Sequence, residues 1–278
     1  MKCPNPNFAG MTQVTSIAIQ AEIKNYYPNP SQTGGAQRLA LLQKVSNLSE
    51  LIDFCIEGYR AWGDAVLMGA GAYLKINEYP TEISAAKKYV KKQVESYLNG
   101  TPFSESEYDV WHKEICLTLA DSKKHFASYS TYRKASSDKF KNKDGFTIGN
   151  AQKFLNMLMK DLYACLRNNS TLWENENKAY SYKDYFKYCH MPLDSYILWF
   201  VDDIRYRSSI VKSARTYTWS NLNAYNSYMD EQRDIRDYVR TNRIDPSITE
   251  LQTEFVVWRL YNPSKTKSTP KKSSQKHP

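Results

Sequence analysis

Glycine, cysteine and long apolar runs are all scarce in this chain of 278 residues, and each scarcity excludes something. Ten glycines and few alternating β-branched runs leave little for a sheet protein to be built from. No apolar run approaches the roughly eighteen residues that a membrane-spanning helix needs, and Met1-Lys2-Cys3-Pro4 is followed by no secretory h-region. The expectation is a soluble, cytoplasmic protein with no membrane partner. Five cysteines, Cys3, Cys55, Cys116, Cys165 and Cys189, are odd in number and widely scattered, unlike a disulfide framework, so a reducing compartment fits. His112 with Cys116, and Cys189 with His190, can be written as a two-plus-two metal set, but the spacing matches no common zinc motif. Packing around the core is the preferred account, and no metal or cofactor is expected. There is no internal repeat.

What is present is helical periodicity. It predicts helices over about 36–62, 82–99, 105–128, 150–167, 192–206, 217–240 and 248–260. Ser104-Glu105-Ser106-Glu107 is a capping box ahead of Tyr108, Trp111, Ile115 and Leu119, and marks the firmest of these starts. Residues 1–35 are rich in Asn and Pro and read as irregular. With 41% apolar residues, a single all-α domain over 1–262 can bury a substantial core. The net charge is +9, and the stretch 263–278 holds five lysines and no acid, so without it the balance is about +4. That tail reads as a disordered basic arm for phosphates. Lys123, Lys124, Arg133, Lys134, Lys139, Lys141 and Lys143 form a second basic stretch. Together they favour a polyanionic partner. Six tryptophans and 22 tyrosines would supply stacking surfaces, though Trp62, Trp111, Trp199 and Trp258 lie in apolar-periodic segments and are assigned to the core unless they border a cleft.

Two helix starts carry the chemistry. Lys141-Asn142-Lys143-Asp144-Gly145 is a polar turn cluster, and Gly149 is a second permissive point just before a helix whose stripe is Ala151, Leu155, Leu158, Leu162 and Cys165. Lys153 lies off that stripe, on a half-apolar face with Met157, Lys160 and Ala164. Near a first helical turn, orphan N–H groups disfavour an ammonium, and a neutral amine is a nucleophile. Further on, Met191-Pro192-Leu193-Asp194-Ser195 opens another helix, with Pro192 suited to the first turn. Asp194 would then sit in that turn as a carboxylate able to stabilise a developing cation.

In this order, a hairpin glycine, a lysine four residues on and a later Pro-x-Asp resemble the active site of the helix-hairpin-helix DNA glycosylases. Thr147 stands where the first hairpin glycine is usual. The insert between Lys153 and Asp194 is longer than in the commonest branch, more like the archaeal 8-oxoguanine DNA glycosylases. The resemblance implies a two-lobed helical fold with a cleft between lobes, in which Lys153 is the nucleophile and Asp194 the catalytic carboxylate. Gly149, Gln152, His190 and Trp199 would line the substrate cleft, while Lys139, Lys141, Lys143 and Thr147 would meet the DNA backbone. It further implies a monomer that binds double-stranded DNA, flips a damaged or modified base, and excises it, with or without lyase activity, in repair or in defence against modified DNA. The protein would be nucleoid-associated when bound. The alternative is a non-catalytic helical nucleic-acid-binding or host-defence protein, and a helical scaffold that binds no nucleic acid is the third possibility. Whether the excised base is an oxidised purine or a modified pyrimidine stays open.

Overall fold

Side-chain caps set most of the element boundaries in this chain. The computed structural model describes residues 14–28, 30, 34–59, 61–66, 80–121, 146–176, 178–207 and 218–262, and within them every regular element is helical. In order these are α1 (Ser16–Tyr26), α2 (Gly35–Leu42), α3 (Leu48–Glu57), α4 (Ala61–Val66), α5 (Pro80–Asn99) and α6 (Glu105–Ala120). Then follow α7 (Ile148–Asn168), α8 (Thr171–Glu174), α9 (Tyr182–Phe186), α10 (Ser195–Arg207), a 3-10 turn (Trp219–Asn221), α11 (Tyr225–Asn242) and α12 (Glu250–Tyr261). The all-α class is therefore as expected. No helix among the described residues is long and apolar enough to cross a membrane. The basic stretch with Lys139, Lys141 and Lys143, the turn glycine Gly145, Cys3 and the tail from 263 lie outside the described residues.

Ser104 and Glu107 form both halves of the expected capping box at α6, and Thr147 with Asn150, Ser181 with Asp184, and Thr249 with Gln252 do the same at α7, α9 and α12. Each box satisfies amides that a helix start otherwise leaves orphaned. Several boundaries differ from the periodic reading: the helix expected over 217–240 begins at Tyr225 after the 3-10 turn, and the one expected over 105–128 ends at Ala120 with Asp121 as its C-cap. The segment 36–62 is three helices, because Asn47 accepts from the Glu50 amide to start α3, and α3 ends where the Gly58 amide reaches Phe54 O. Apolar residues stay in phase across those breaks, which hides them from periodicity. The supposedly irregular N-terminal region contains α1, capped by Thr15, with Ile19 and Ile23 buried one turn apart. The helix expected from 192 begins at Ser195 instead, because Asp194 is its N-cap: its carbonyl accepts from Leu198 N, and its carboxylate from Tyr196 N and Ile197 N.

The larger departure is α7. One buried stripe was expected, yet every residue from Ile148 to Leu166 is buried. The helix is enclosed by α1, α3, α4, α6, α8, α9, α11 and the 3-10 turn. A helix wrapped on all sides is ordinarily apolar all round. Here Asn150, Gln152, Lys153, Asn156, Lys160 and Asp161 interrupt it and are buried too, which is why the sequence imitates an amphipathic surface helix. The apolar side chains from Val14 to Tyr261 join one cluster around it, in which each large fully buried side chain contributes about 1.5–3 kcal/mol.

Gly149 lies in the first turn of α7, and its N–H donates to Leu222 O at 2.9 Å. A Cβ at this position would stand 1.6 Å from the carbonyl oxygen of Trp219. Gly149, expected to line the substrate cleft, instead permits contact between helix and 3-10 turn, and its amide is already used. Gly149→Ala must push the turn off the helix, so it should lower stability by about 2–3 kcal/mol, in the upper range for overpacking. Thermal unfolding measures this, and an unchanged Tm would mean that the turn is not seated on α7.

Candidate active site

The extended segment before α10 is held by two buried glutamines from opposite sides. Gln152 on α7 donates to Leu193 O at 3.0 Å and accepts from Leu193 N at 3.1 Å. Gln232 on α11 donates to Met191 O at 2.8 Å and accepts from Met191 N at 3.2 Å. Each side-chain amide thereby does what a neighbouring strand would do, and Pro192 between them has no N–H left to satisfy. The segment so fixed delivers Asp194.

Asp194 Oδ1 accepts the Tyr196 and Ile197 amides at 2.9 and 3.0 Å, while Oδ2 accepts from Lys153 Nζ at 3.0 Å and from Trp258 Nε1 at 3.1 Å. The side chains of Lys153 and Asp194 are only 7% and 13% exposed, so the ion pair is nearly dry. Lys153 stands in the second turn of α7, past the orphan amides expected to act on it, and its ammonium meets a carboxylate instead.

One side of the Trp258 indole holds Asp194, and the ring also lines a cavity of about 420 Å³ walled by Tyr26, Tyr59, Phe255 and Lys160. Lys160, one heptad beyond Lys153, pairs with buried Glu254 and lies 4.5 Å from the ring centroid of Tyr26 and 4.8 Å from that of Phe255. Burial pushes the Glu254 carboxyl up, against the pull of Lys160. Asp161 accepts from the Tyr26 hydroxyl, and burial raises its carboxyl well above the usual range, while its Oδ2 is buried with no hydrogen-bond partner. The region therefore combines aromatic walls, a cation and two carboxyls for which burial disfavours the charged form.

Of the expected site residues, Lys153 and Asp194 are brought together across forty intervening residues. Gln152 is fully buried and spends its amide on Leu193, Gly149 O and Asn156, so it positions Asp194 rather than facing a cleft. Thr147 is buried, with its hydroxyl on Asn150 Oδ1 and Ser220 O, and offers nothing to a phosphate. Trp199 packs half-buried against Tyr196, outside the cavity lining. His190 is buried away from the cavity: Nδ1 lies 2.7 Å from Tyr228 Oη, and Nε2 lies 2.7 Å from Asp109 Oδ1 with Arg236 beside it. His112, 4.4 Å away between ring centroids, bonds Tyr225 Oη and Asn156 Oδ1. Among the described residues no three His, Cys, Asp or Glu side chains converge on a metal position, and the imidazole nitrogens of the two-plus-two set are committed to hydrogen bonds. Sequence reasoning held Trp258 for the core unless it bordered a cleft, which it does, and missed Glu254, Asp161, Tyr26 and Gln232. The one signal available was spacing, seven residues from Lys153 to Lys160 and four from Glu254 to Trp258.

No protein-family model matches the chain, and neither a curated protein nor a solved structure does.

The two histidines make a pH prediction. Burial lowers His190 to about 4, with Asp109 opposing, and burial lowers His112 well below its ordinary value. An unfolded chain takes up these protons near pH 6.5. The contribution of His190 to stability is therefore complete above that pH and is lost as the pH falls to about 4, and that of His112 is lost in the same direction. Imidazole NMR should follow His190 titrating near pH 4, and a midpoint near 6.5 would contradict the buried network.

Proposed function

We propose that the protein is a DNA glycosylase that excises a damaged or modified base extruded from double-stranded DNA. The observation that carries this reading is the convergence of Lys153 and Asp194 at 3.0 Å in a nearly dry site, beside an aromatic-walled cavity. Stability alone gives no reason for such a pair. Two buried charges roughly break even against well-packed apolar residues, while removing one partner costs about 3–5 kcal/mol. Reaction chemistry does give a reason. The Lys153 ammonium hands a proton to water, and the free amine forms a bond to the sugar C1′. The C1′–N bond to the base breaks, and its electron pair leaves with the base, which takes a proton back from that water. Asp194 faces the sugar where positive charge develops, held by two helix amides and the Trp258 indole. If water attacks in place of the amine, Asp194 accepts its proton, and no imine forms. The cavity, within the ~300–1,000 Å³ common for small-ligand pockets, receives the flipped base between aromatic faces, with Lys160 in its lining available to the polar edge.

The test uses a panel of duplexes with oxidised purines and modified pyrimidines, scored for released base. Asp194→Asn keeps a side chain suited to an N-cap but loses the charge. On protein shown to be folded by circular dichroism, base release should fall at least about a hundredfold. Near-normal release by folded Asp194→Asn, or no release from any duplex by the unaltered protein, would overturn the reading.

A further inference from the structure

A second opening lies at the far end of α7 from Lys153. It is a groove of about 750 Å³ between the start of α1, the end of α7, α9 and the connection from α11 into α12. Three helices and the residues just after two of them send cations into it: Arg167 from α7, Lys183 and Lys187 from and after α9, Arg240 from α11 and Arg243 just beyond. Its three carboxylates are largely spoken for. Glu105 and Glu250 both bond Arg240, and Asp184 caps α9 through the Ser181 amide. Arg167, Lys183 and Lys187 have no carboxylate partner within ion-pair distance among the described residues, and Arg243 bonds the Ile248 carbonyl. The α12 start, with Thr249 and Glu250, also lines the groove and adds the positive end of its dipole.

Three helices, α1, α7 and α12, join this groove to the cavity, and on α7 Tyr163 lines the groove and Lys160 the cavity. Ser16, Ile19 and Gln20 of α1 line the groove, and Glu22 and Tyr26 the cavity. On α12, Gln252 lines the groove, and Phe255 and Arg259 the cavity. Arg167 lies roughly 21 Å along α7 from Lys153 at about 1.5 Å per residue. That span corresponds to about six base pairs at ~3.4 Å each.

We infer that this groove is a second nucleic-acid contact, which takes phosphodiester groups of the backbone several base pairs from the extruded base. The choice of nucleic acid as the source of the phosphates rests on the glycosylase reading. The contact is sequence-independent, because point charges on phosphates position a duplex without reading it.

Binding of the full chain to an unmodified duplex tests this without any need for excision. The groove variant is Arg167→Gln, Lys183→Gln and Lys187→Gln combined. The control removes equal charge elsewhere, through Lys88→Gln, Lys92→Gln and Lys113→Gln, three exposed lysines on α5 and α6. The slope of log affinity against log salt should fall by about 2–3 in the groove variant, at ~0.9 for each phosphate no longer neutralised, and by much less in the control. An unchanged slope, or an equal fall in both variants, would overturn the proposal. Binding of inorganic phosphate by the unaltered protein, with duplex affinity untouched in the groove variant, would assign the groove to a free anion and overturn it too. Failure of the glycosylase reading would appear separately, as intact duplex binding without base release.

Discussion

Everything at the centre of this fold follows from one constraint: α7 is buried on all sides, yet six of its buried residues are polar or charged. A buried polar group without a partner costs about 1–3 kcal/mol, and a charge costs more. Each neighbour must therefore bring the right group to the right height. Asn150 donates to Ala65 O of α4, Gln152 clamps Leu193, and Asn156 bonds Tyr228 and His112. Lys153 meets Asp194, Lys160 meets Glu254, and Asp161 meets Tyr26. The surrounding helices are placed by these demands as much as by apolar contact.

The same constraint fixes the carboxylate on which the proposed reaction rests. Asp194 is fixed from behind by the two glutamine clamps, from within by the α10 amides, and from the side by Trp258. A carboxylate held by this many donors has little reorganisation left to perform when charge develops opposite it, which is the arrangement electrostatic catalysis requires. Behind the clamps, a hydrogen-bonded chain runs through Asn156, His112, Tyr228 and His190 to Asp109 and Arg236. It ties the segment that bears Asp194 to α6 and α11, so the precision of the pair is a property of the whole core.

Local signals made part of this legible in the sequence. Lys153 was singled out by the glycine turn just before its helix and Asp194 by the Pro-x-Asp, although Pro192 lies in the extended segment and Asp194 itself caps α10. The Ser104 capping box was legible for the same reason. Where partnership is purely tertiary, nothing local betrays it: Glu254 and Tyr26 lie far along the chain from Lys160 and Asp161, and Gln232 from Met191. His190, beside the Pro-x-Asp, invited a place in the cleft, but Tyr228 and Asp109 claim both ring nitrogens. The full burial of α7 was hidden because its polar residues mimic a solvated face, and the breaks within 36–62 were hidden because apolar positions stay in register across them.

The claim at the centre is that Lys153 is an amine poised at a sugar C1′, and it can be tested before the base is known. A duplex carrying a preformed aldehydic abasic site supplies C1′ directly, and borohydride reduces any imine formed there to a stable secondary amine. Peptide mapping of the cross-linked protein should place a single adduct on Lys153, with none in Lys153→Gln, whose helix glutamine supports almost as well as lysine. An adduct that maps to another lysine, such as Lys160, or persists undiminished in Lys153→Gln, would contradict the account.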